Sequence, residues 1–273
     1  MYPMIKVINI EIPVYGIIGI LAFILAYFYA RSKARLYNID KQDVLYAACY
    51  GAVGLFIGAK LLYFLALLPK FVSHIDEVIL HPKEAIEYFL GGFVFYGGLI
   101  GLLIGVIIYC RKFQLSVISY ANIIAPGILI VHSLGRIGCF FAGCCYGIEY
   151  DGPLSITFPV NHFTMEMAGV PRFPVQLLES LLNLLMFVVL FVYGRKKRPE
   201  GQLLGIYLIF YSTVRFALEY VRADAVRGVF WGISTSQWIS LGLLPLGMII
   251  TIYSTKREKK IADRRNKVVS QKI

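Results

Sequence analysis

The chain has 273 residues, of which 58% are hydrophobic and 16% are charged; its mean hydropathy is +0.70 and its net charge is +11. Soluble domains carry about 25% charged residues, so this composition excludes a soluble globular protein. Apolar runs of roughly 17–25 residues, the length that crosses a bilayer as a helix, recur along the whole chain. We therefore predict an integral membrane protein.

The apolar runs predict an all-α fold with seven transmembrane helices. The predicted spans cover residues 14–30, 44–68, 91–110, 115–135, 176–194, 203–221 and 236–254. A positive cluster follows the first span instead of preceding it, so we do not expect a cleavable signal peptide. No repeat or linker divides the chain, and we expect a single membrane domain over residues 1–273.

The positions of lysine and arginine predict the orientation, because cytoplasmic loops carry an excess of positive charge. With the N-terminus outside, eighteen of these residues fall on the inner side, six on the outer side and three within spans. We therefore expect the N-terminus outside and the C-terminus in the cytoplasm. The cationic excess then lies beside the membrane and attracts anionic lipid, so we expect no nucleic-acid partner. A basic interaction arm over residues 256–272 is the less favoured interpretation.

Two segments outside the spans lie on the predicted outer side, residues 69–90 and 146–175. The second is rich in proline, glycine and aromatic residues and has few charged residues. A connecting segment of about thirty residues often has a function of its own. We expect a small extracytoplasmic cap over residues 146–175.

The first three spans carry few polar features. Tyr15 begins the first span, where it either contacts a lipid headgroup or belongs to the aromatic belt at the membrane interface. Tyr96, Gly97, Gly98 and Gly101 mark the third span as glycine-rich. The small-xxx-small spacing of Gly97 and Gly101 favours helix packing over substrate contact.

The most informative stretch is residues 135–147, with the sequence GRIGCFFAGCCYG, at the end of an apolar segment. It contains Arg136, and an arginine at the centre of a membrane helix costs roughly 2.5–3.5 kcal/mol on insertion scales, so it normally has a partner and a function. A planar guanidinium suits phosphate oxygens, which in a bilayer indicates a lipid headgroup. The alternative is a structural arginine paired with a buried carboxylate. His132 lies one turn earlier on the same face, where a satisfied bundle histidine is more typical than a base.

Two carboxylates accompany the arginines in the later spans. Glu179 follows Gln176 at the start of the fifth span, and Glu219 follows Arg215 at the i,i+4 spacing in the sixth. Each carboxylate is either part of a polar site or a structural counterion, and the sequence leaves both interpretations open.

Taken in order, these motifs resemble bacterial prolipoprotein diacylglyceryl transferase across most of the chain. The matching motifs are Val14-Tyr15-Gly16, residues 58–63 (GAKLLY), residues 96–101 (YGGLIG), Ala125-Pro126, residues 135–147, Pro174-x-Gln176-Leu177-x-Glu179 and Arg215-x-x-x-Glu219-x-x-Arg222-x-Asp224. Seven spans with the N-terminus outside also match that family. Agreement of this many motifs in order is far more specific than any one of them.

The resemblance implies a reaction at a multi-pass protein of the bacterial plasma (inner) membrane. The diacylglyceryl group of phosphatidylglycerol moves to the sulfur of the lipobox cysteine in a preprolipoprotein, forming a thioether and releasing glycerol phosphate. By the same match, Arg136 and Arg215 would hold the phosphate, and Glu179 and Glu219 would orient them. Tyr15 would lie near the lipid headgroup. No cofactor motif is visible, and this mechanism requires none.

The resemblance assigns the site residues to two groups. The catalytic group is Arg136, Arg215, Tyr96 and Glu219. The substrate-binding group is Tyr15, Gly97, Gly98, Gly138, Glu179, Cys139 and Cys144.

The chain departs from the family pattern at positions that matter for chemistry. Tyr96 stands where the family usually has a histidine that is a proposed base. Cys139, Ala142 and Cys144 stand where it usually has two asparagines and a glutamate. A tyrosine with a pKa near 10 is a weak base at neutral pH unless a cation lowers that pKa. Either the arginines supply most of the catalysis, or another group such as His132 replaces the base.

Three interpretations of Cys139, Cys144 and Cys145 follow from the pattern. On an oxidising outer side, Cys139 would form a disulfide with Cys144 or Cys145 and stiffen the loop. A thiol activated by Arg136 would instead act as a catalytic nucleophile. The C-x4-C-C spacing is not a standard zinc pattern, so we predict no metal site.

Two other classes of function stay open. One is a divergent paralogue that transfers a lipid group to a different acceptor. The other is a non-enzymatic lipid-binding or thiol-redox membrane protein. Both arginines are retained, and this argues against a purely redox role.

Overall fold

The computed structural model describes residues 4–7, 10–73, 83, 92–159, 168–223 and 228–270, and these form a predominantly α-helical protein. The helices are α1 (Val14–Lys33), α2 (Lys41–Ser73), α3 (Phe95–Lys112), α4 (Val117–Ala142), α5 (Val175–Tyr193), α6 (Gln202–Leu218) and α7 (Thr235–Ser270). Within the described ranges, six of them (α1, α2 and α4 to α7) are long and apolar enough to cross a membrane. This confirms an all-α multi-pass membrane protein. The count of seven spans and their orientation stay predictions.

Two helices extend well beyond the predicted spans. Helix α4 continues past residue 135 to Ala142, so Arg136 and Cys139 are helical. The apolar residues after Arg136 continue the buried pattern, and glycine is frequent in membrane helices. Helix α7 continues past residue 254 to Ser270, because lysine, arginine and glutamate are good helix formers even where the chain turns polar.

Short strands and 3-10 helices lie before the first helix and between later helices. Among the described residues, the strands form three antiparallel pairs: β1 (Met4–Val7) with β2 (Ile10–Pro13), β3 (Ile156–Thr157) with β4 (Pro171–Arg172), and β5 (Val229–Phe230) with β6 (Ile233–Ser234). The 3-10 helices are Ala34–Tyr37 and Glu219–Val221. The β3–β4 pair lies in the predicted cap, of which residues 160–167 are outside the described ranges. Most of the predicted outer segment 69–90 also lies outside them.

The chain divides into two compact units, residues 38–117 and the remainder (1–37 with 118–273). The smaller unit is the pair α2 and α3, which pack backbone to backbone. A Cβ on Gly54 would lie 2.1 Å from the carbonyl oxygen of Gly101, and one on Gly97 would lie 2.3 Å from that of Gly58. Only glycine fits at such distances, and this is the small-residue packing that the spacing in the third span predicted.

The larger unit contains α1 and α4 to α7. Its apolar core joins α4, α5 and α6 through Ala125, Leu129, Leu190, Leu203 and Tyr207. The side chain of Asn122 on α4 accepts hydrogen bonds from the backbone amides of Gly201 and Leu203 at 3.1 and 2.8 Å, which caps the first turn of α6. This packing brings the C-terminal ends of α4 and α6 to the N-terminal end of α5, where the polar residues collect.

Candidate active site

The carboxylate of Glu179, at the start of α5, joins two arginines. Its Oε1 lies 2.9 Å from Nε of Arg136 on α4, and its Oε2 accepts a hydrogen bond from Nη1 of Arg222 at 3.3 Å. Glu179 is 2% exposed and Arg222 is 9% exposed. One negative charge therefore faces two positive charges in a buried place. Such an arrangement holds both guanidiniums rigidly.

Arg215, on α6, is fixed by two other partners. Its Nη1 pairs with Oε2 of Glu219 at 2.6 Å, and its Nη2 donates a hydrogen bond to Oγ of Ser236 on α7 at 2.7 Å. Arg215 is 5% exposed. Arg215 and Glu219, which are four residues apart in the sequence, thus form an ion pair. Arg215 lies in the last turn of α6, and Glu219 begins the 3-10 helix that follows it.

Backbone pairing attaches the segment after α4 to Arg222. Gly147 and Arg222 form an antiparallel bridge, and the amides of Ile148 and Ala223 donate to the carbonyls of Val221 and Tyr146 at 3.0 and 3.2 Å. This pairing places the Arg222 backbone beside the end of the motif at residues 135–147.

A fourth arginine, Arg172, supports the segment after α4. Arg172 of β4 donates to the carbonyl of Gly147 at 3.3 Å, and its guanidinium lies 4.6 Å from the ring centre of Tyr146. Arg172 also pairs weakly, at 3.9 Å, with Glu149, whose side chain is 75% exposed. These contacts hold the loop, so Arg172 supports the site from its cap side.

The three cysteines of the motif come together where α4 ends. The Sγ atoms of Cys139, Cys144 and Cys145 all lie within 4.8 Å of one another. The chain reverses through left-handed backbone at Gly143 and Cys145, with φ of 72° and 59°. Nε2 of the fully buried Gln176 donates to the carbonyl of Cys144 at 2.9 Å and holds the turn. All five cysteines of the chain are thiols in this structure, so neither predicted disulfide is formed.

The three thiols differ in acidity. The pKa of Cys145 lies far below its usual value, because its sulfur accepts hydrogen bonds from Cys139 and Cys144 and also faces Arg222 and Arg136. The pKa of Cys144 is raised, because it donates to Cys139 and Cys145.

Tyr15 and Gly138 meet at this site. A Cβ on Gly138 would lie 2.9 Å from Cδ2 of Tyr15, so the absence of a side chain lets the Tyr15 ring pack on α4. Tyr15 is 51% exposed and lies within electrostatic range of Arg136 and Cys139. The structure thus gathers Tyr15, Gly138 and the cysteines around Arg136, and their substrate-binding roles stay predictions.

His132 takes part in helix packing. Its Nε2 lies 3.0 Å from the hydroxyl of Tyr207, and its ring stacks on Tyr211 with the ring centres 4.9 Å apart. This is the satisfied bundle histidine that the sequence favoured, and the contacts give no support to a role as replacement base.

Tyr96, Gly97 and Gly98 lie in the smaller unit. Tyr96 begins α3 and is 55% exposed, and its catalytic role stays a prediction. Gly97 and Gly98 face α2, and their nearest neighbours are the carbonyl of Gly58 and the side chain of Leu55. Helix packing accounts for both glycines, and their substrate-binding role stays a prediction.

Comparison with known proteins identifies the family. The family model described as prolipoprotein diacylglyceryl transferase matches residues 3–253. The chain belongs to this family. The match covers nearly the whole chain, and with it the motif at residues 135–147 and the arginines of α4 and α6. Prolipoprotein diacylglyceryl transferases are transferases, so the chain belongs to a family of enzymes.

Curated relatives agree with this assignment. Phosphatidylglycerol–prolipoprotein diacylglyceryl transferase 2 of Clostridium perfringens (strain 13 / Type A) is 32% identical over 262 residues, which cover 95% of this chain and 98% of the relative. The transferase of Clostridium tetani is 34% identical, with 81% and 83% covered. That of Idiomarina loihiensis is 32% identical, with 91% and 90% covered.

The structure gives contacts at the site to three residues that the sequence did not assign to it. Arg222 shares Glu179 with Arg136, and its only sequence signal was its place in the motif after Glu219. Arg172 and Gln176 hold the motif loop through backbone carbonyls. Contacts of this kind leave no pattern in the sequence, because any nearby donor can make them.

Proposed function

We propose that this chain transfers the diacylglyceryl group of phosphatidylglycerol to the thiol of a lipobox cysteine in a preprolipoprotein. Family membership and the names of its relatives support the reaction. The structural observation that best supports the reaction is that the carboxylate of Glu179 forms ion pairs with both Arg136 and Arg222. Two guanidiniums held in place by one buried carboxylate suit the phosphate of an anionic lipid headgroup.

The arginines have a defined task in this reaction. The acceptor thiol loses its proton to solvent, and its sulfur attacks the diacylglyceryl carbon that bears the phosphate ester. The sulfur–carbon bond forms, and glycerol phosphate leaves with the electron pair of the carbon–oxygen bond. Negative charge grows on the phosphate during this step, and fixed cations at that position lower the barrier. Arg136 and Arg215 bind the phosphate, and Glu179 and Glu219 hold them in place without reorganisation.

The substrates and the setting follow from the same proposal. Phosphatidylglycerol enters from the bilayer, and the lipobox peptide is presented at the outer face of the bacterial plasma membrane. Seven spans with the N-terminus outside place the Glu179 site on that face. The ring of Tyr15 is exposed, and in this orientation it would contact the lipid headgroup.

Mass spectrometry tests the reaction directly. The purified full chain is incubated with phosphatidylglycerol and a lipobox peptide, and the peptide is expected to gain the mass of one diacylglyceryl group. Arg136→Gln is expected to lower the rate by at least about 100-fold, in the range that loss of one charge-stabilising group costs.

The matched control is Arg195→Gln, which removes a cation from the exposed segment after α5 and should leave the rate unchanged. Thermal unfolding of each variant separates loss of catalysis from loss of folding. Absence of any mass gain from folded protein would overturn the proposal.

A further inference from the structure

The turn after α4 builds a compact cluster of three sulfurs. Cys139 on the last turns of α4 meets Cys144 and Cys145 beyond it, and all three Sγ atoms lie within 4.8 Å of one another. In the part of the chain that the structure describes, this is the one group of three or more histidine, cysteine or acidic side chains close enough to share a metal ion.

The geometry is close to that of a metal–thiolate site. With zinc–sulfur bonds of about 2.3 Å, the sulfurs of a tetrahedral site lie about 3.8 Å apart. The separations here exceed that value by no more than about 1 Å, which side-chain rotation closes. The turn itself needs no rearrangement, because Gln176 holds the Cys144 carbonyl and the Cys144 amide donates to the carbonyl of Cys139 at 3.1 Å.

The donor set and its charge select the kind of ion. Three thiolates are soft ligands that favour zinc or monovalent copper over magnesium and calcium. A divalent ion with three thiolates carries one net negative charge, and Arg136 and Arg222 beside Cys145 offset it. Cys139 is buried, while Cys144 is exposed, so the ion has an entry path and one open side.

We propose that Cys139, Cys144 and Cys145 bind one zinc ion, whose fourth position takes the acceptor thiol of the lipobox cysteine. Catalytic zinc sites have this composition, with three protein ligands and one position for water or substrate. The inference rests on the proposed function, which supplies the thiol acceptor.

Coordination supplies what the transfer step needs. The acceptor thiol binds zinc as a thiolate, and its proton passes to solvent. The zinc-bound sulfur attacks the diacylglyceryl carbon, the thioether forms, and glycerol phosphate leaves with its electron pair toward the arginines. No group is oxidised or reduced. The thioether is a weaker ligand than a thiolate, so the product dissociates from the ion.

Metal binding is tested on the full chain, purified under reducing conditions, stripped with a chelator and titrated with zinc alone. One zinc per chain is expected. Cys144→Ser should weaken the affinity by more than the roughly 10- to 100-fold that loss of a supporting residue costs. Cys49→Ser, which removes an exposed thiol of α2, is the matched control and should bind zinc as the unmodified chain does. Cobalt in place of zinc should show thiolate charge-transfer absorption that Cys144→Ser weakens.

The transfer assay distinguishes this inference from the proposed function. Chelated protein should lose diacylglyceryl transfer and regain it with zinc. Full transfer by metal-free protein would overturn the zinc site's role and leave the proposed function intact. Stoichiometric zinc bound by the three cysteines, without transfer at any zinc concentration, would support the metal site and overturn the proposed function. A disulfide among these cysteines in protein purified without reductant, with no zinc bound after reduction, would overturn the site.

Discussion

Glu179 is the residue on which the charge balance of the site depends. It is almost completely buried, and each of its oxygens serves a different arginine. Removing one partner of a buried ion pair is strongly destabilising, because the remaining charge loses its compensation. Here two arginines from two different segments, Arg136 and Arg222, depend on the same carboxylate.

Glu179→Gln should therefore reduce both stability and activity. The expected loss is about 3–5 kcal/mol in the free energy of unfolding. Diacylglyceryl transfer should fall with it. Thermal unfolding in detergent and the mass-spectrometric assay measure the two effects. Glu149→Gln is the control, because that side chain is 75% exposed and lies 3.9 Å from Arg172, so its ion pair contributes at most about 1 kcal/mol. Equal losses of stability and of transfer activity in the two variants would contradict the proposed role of Glu179 in holding Arg136 and Arg222.

Gly138 and Gly135 test how tightly Tyr15 packs on α4. An alanine Cβ at residue 138 would lie 2.9 Å from the Tyr15 ring, whereas nothing lies within 4 Å of one at residue 135. Gly138→Ala should displace Tyr15 and cost about 1–3 kcal/mol of stability, with a lower transfer rate. Gly135→Ala should be neutral or stabilise the helix by up to about 1 kcal/mol. Equal stability and equal transfer rates in Gly138→Ala and Gly135→Ala would show that the contact between Tyr15 and α4 contributes to neither.

At the scale of elements, the α2–α3 pair is held by close backbone contact along one glycine-lined face. Membrane helices gain little from apolar burial against each other, because lipid is equally apolar. Close approach of the backbones supplies the packing energy instead. Gly97 and Gly98 are adjacent on α3, but Gly97 lies against the backbone of α2, whereas the nearest atoms to Gly98 are side-chain atoms of α2.

Alanine substitutions at these two positions separate packing from substrate binding. Gly97→Ala puts a Cβ 2.3 Å from a backbone carbonyl of α2 and should force the helices apart, with a lower unfolding temperature. Gly98→Ala meets side chains at 3.4 Å and 3.5 Å, which is ordinary contact, and should leave stability nearly unchanged. Transfer activity should follow stability in both variants. Loss of transfer in folded Gly98→Ala protein would instead favour a substrate contact at this glycine.

Helix α4 connects the apolar core to the site. Its middle packs through Ala125 and Leu129, and its last turns carry Arg136, Gly138 and Cys139. These site residues therefore lie on a helix that is packed in the core, and a packed helix fixes the position of a side chain more precisely than a loop does.

At the scale of the whole molecule, the proposed orientation makes a separate prediction. A fluorescent protein fused after residue 273 should fluoresce, because it folds in the cytoplasm. Alkaline phosphatase inserted next to Leu154, in the proposed cap, should be active, because it folds outside; Leu154 is 85% exposed and should tolerate the insertion. The opposite pattern of activities would reverse the orientation and place the Glu179 site on the cytoplasmic face.

The sequence by itself determined the membrane class, the positions of the helices and the family. These depend on apolar run length and ordered motifs, which are local properties of the chain. The spacing of Arg215 and Glu219 likewise made an ion pair one of the two open interpretations, because residues four apart on a helix are neighbours. The C-x4-C-C spacing, in contrast, indicated no metal site.

Only the tertiary structure decided which distant groups meet. The pairing of Glu179 with Arg222 depends on how α5 and the segment after α6 pack, and no spacing encodes it. The sulfur cluster depends on where α4 ends and on the left-handed backbone at Cys145, which turns the chain back toward Cys139. The physical reason is the same in both cases: a side chain's neighbours across elements are set by packing, whereas the sequence reports its neighbours along one element.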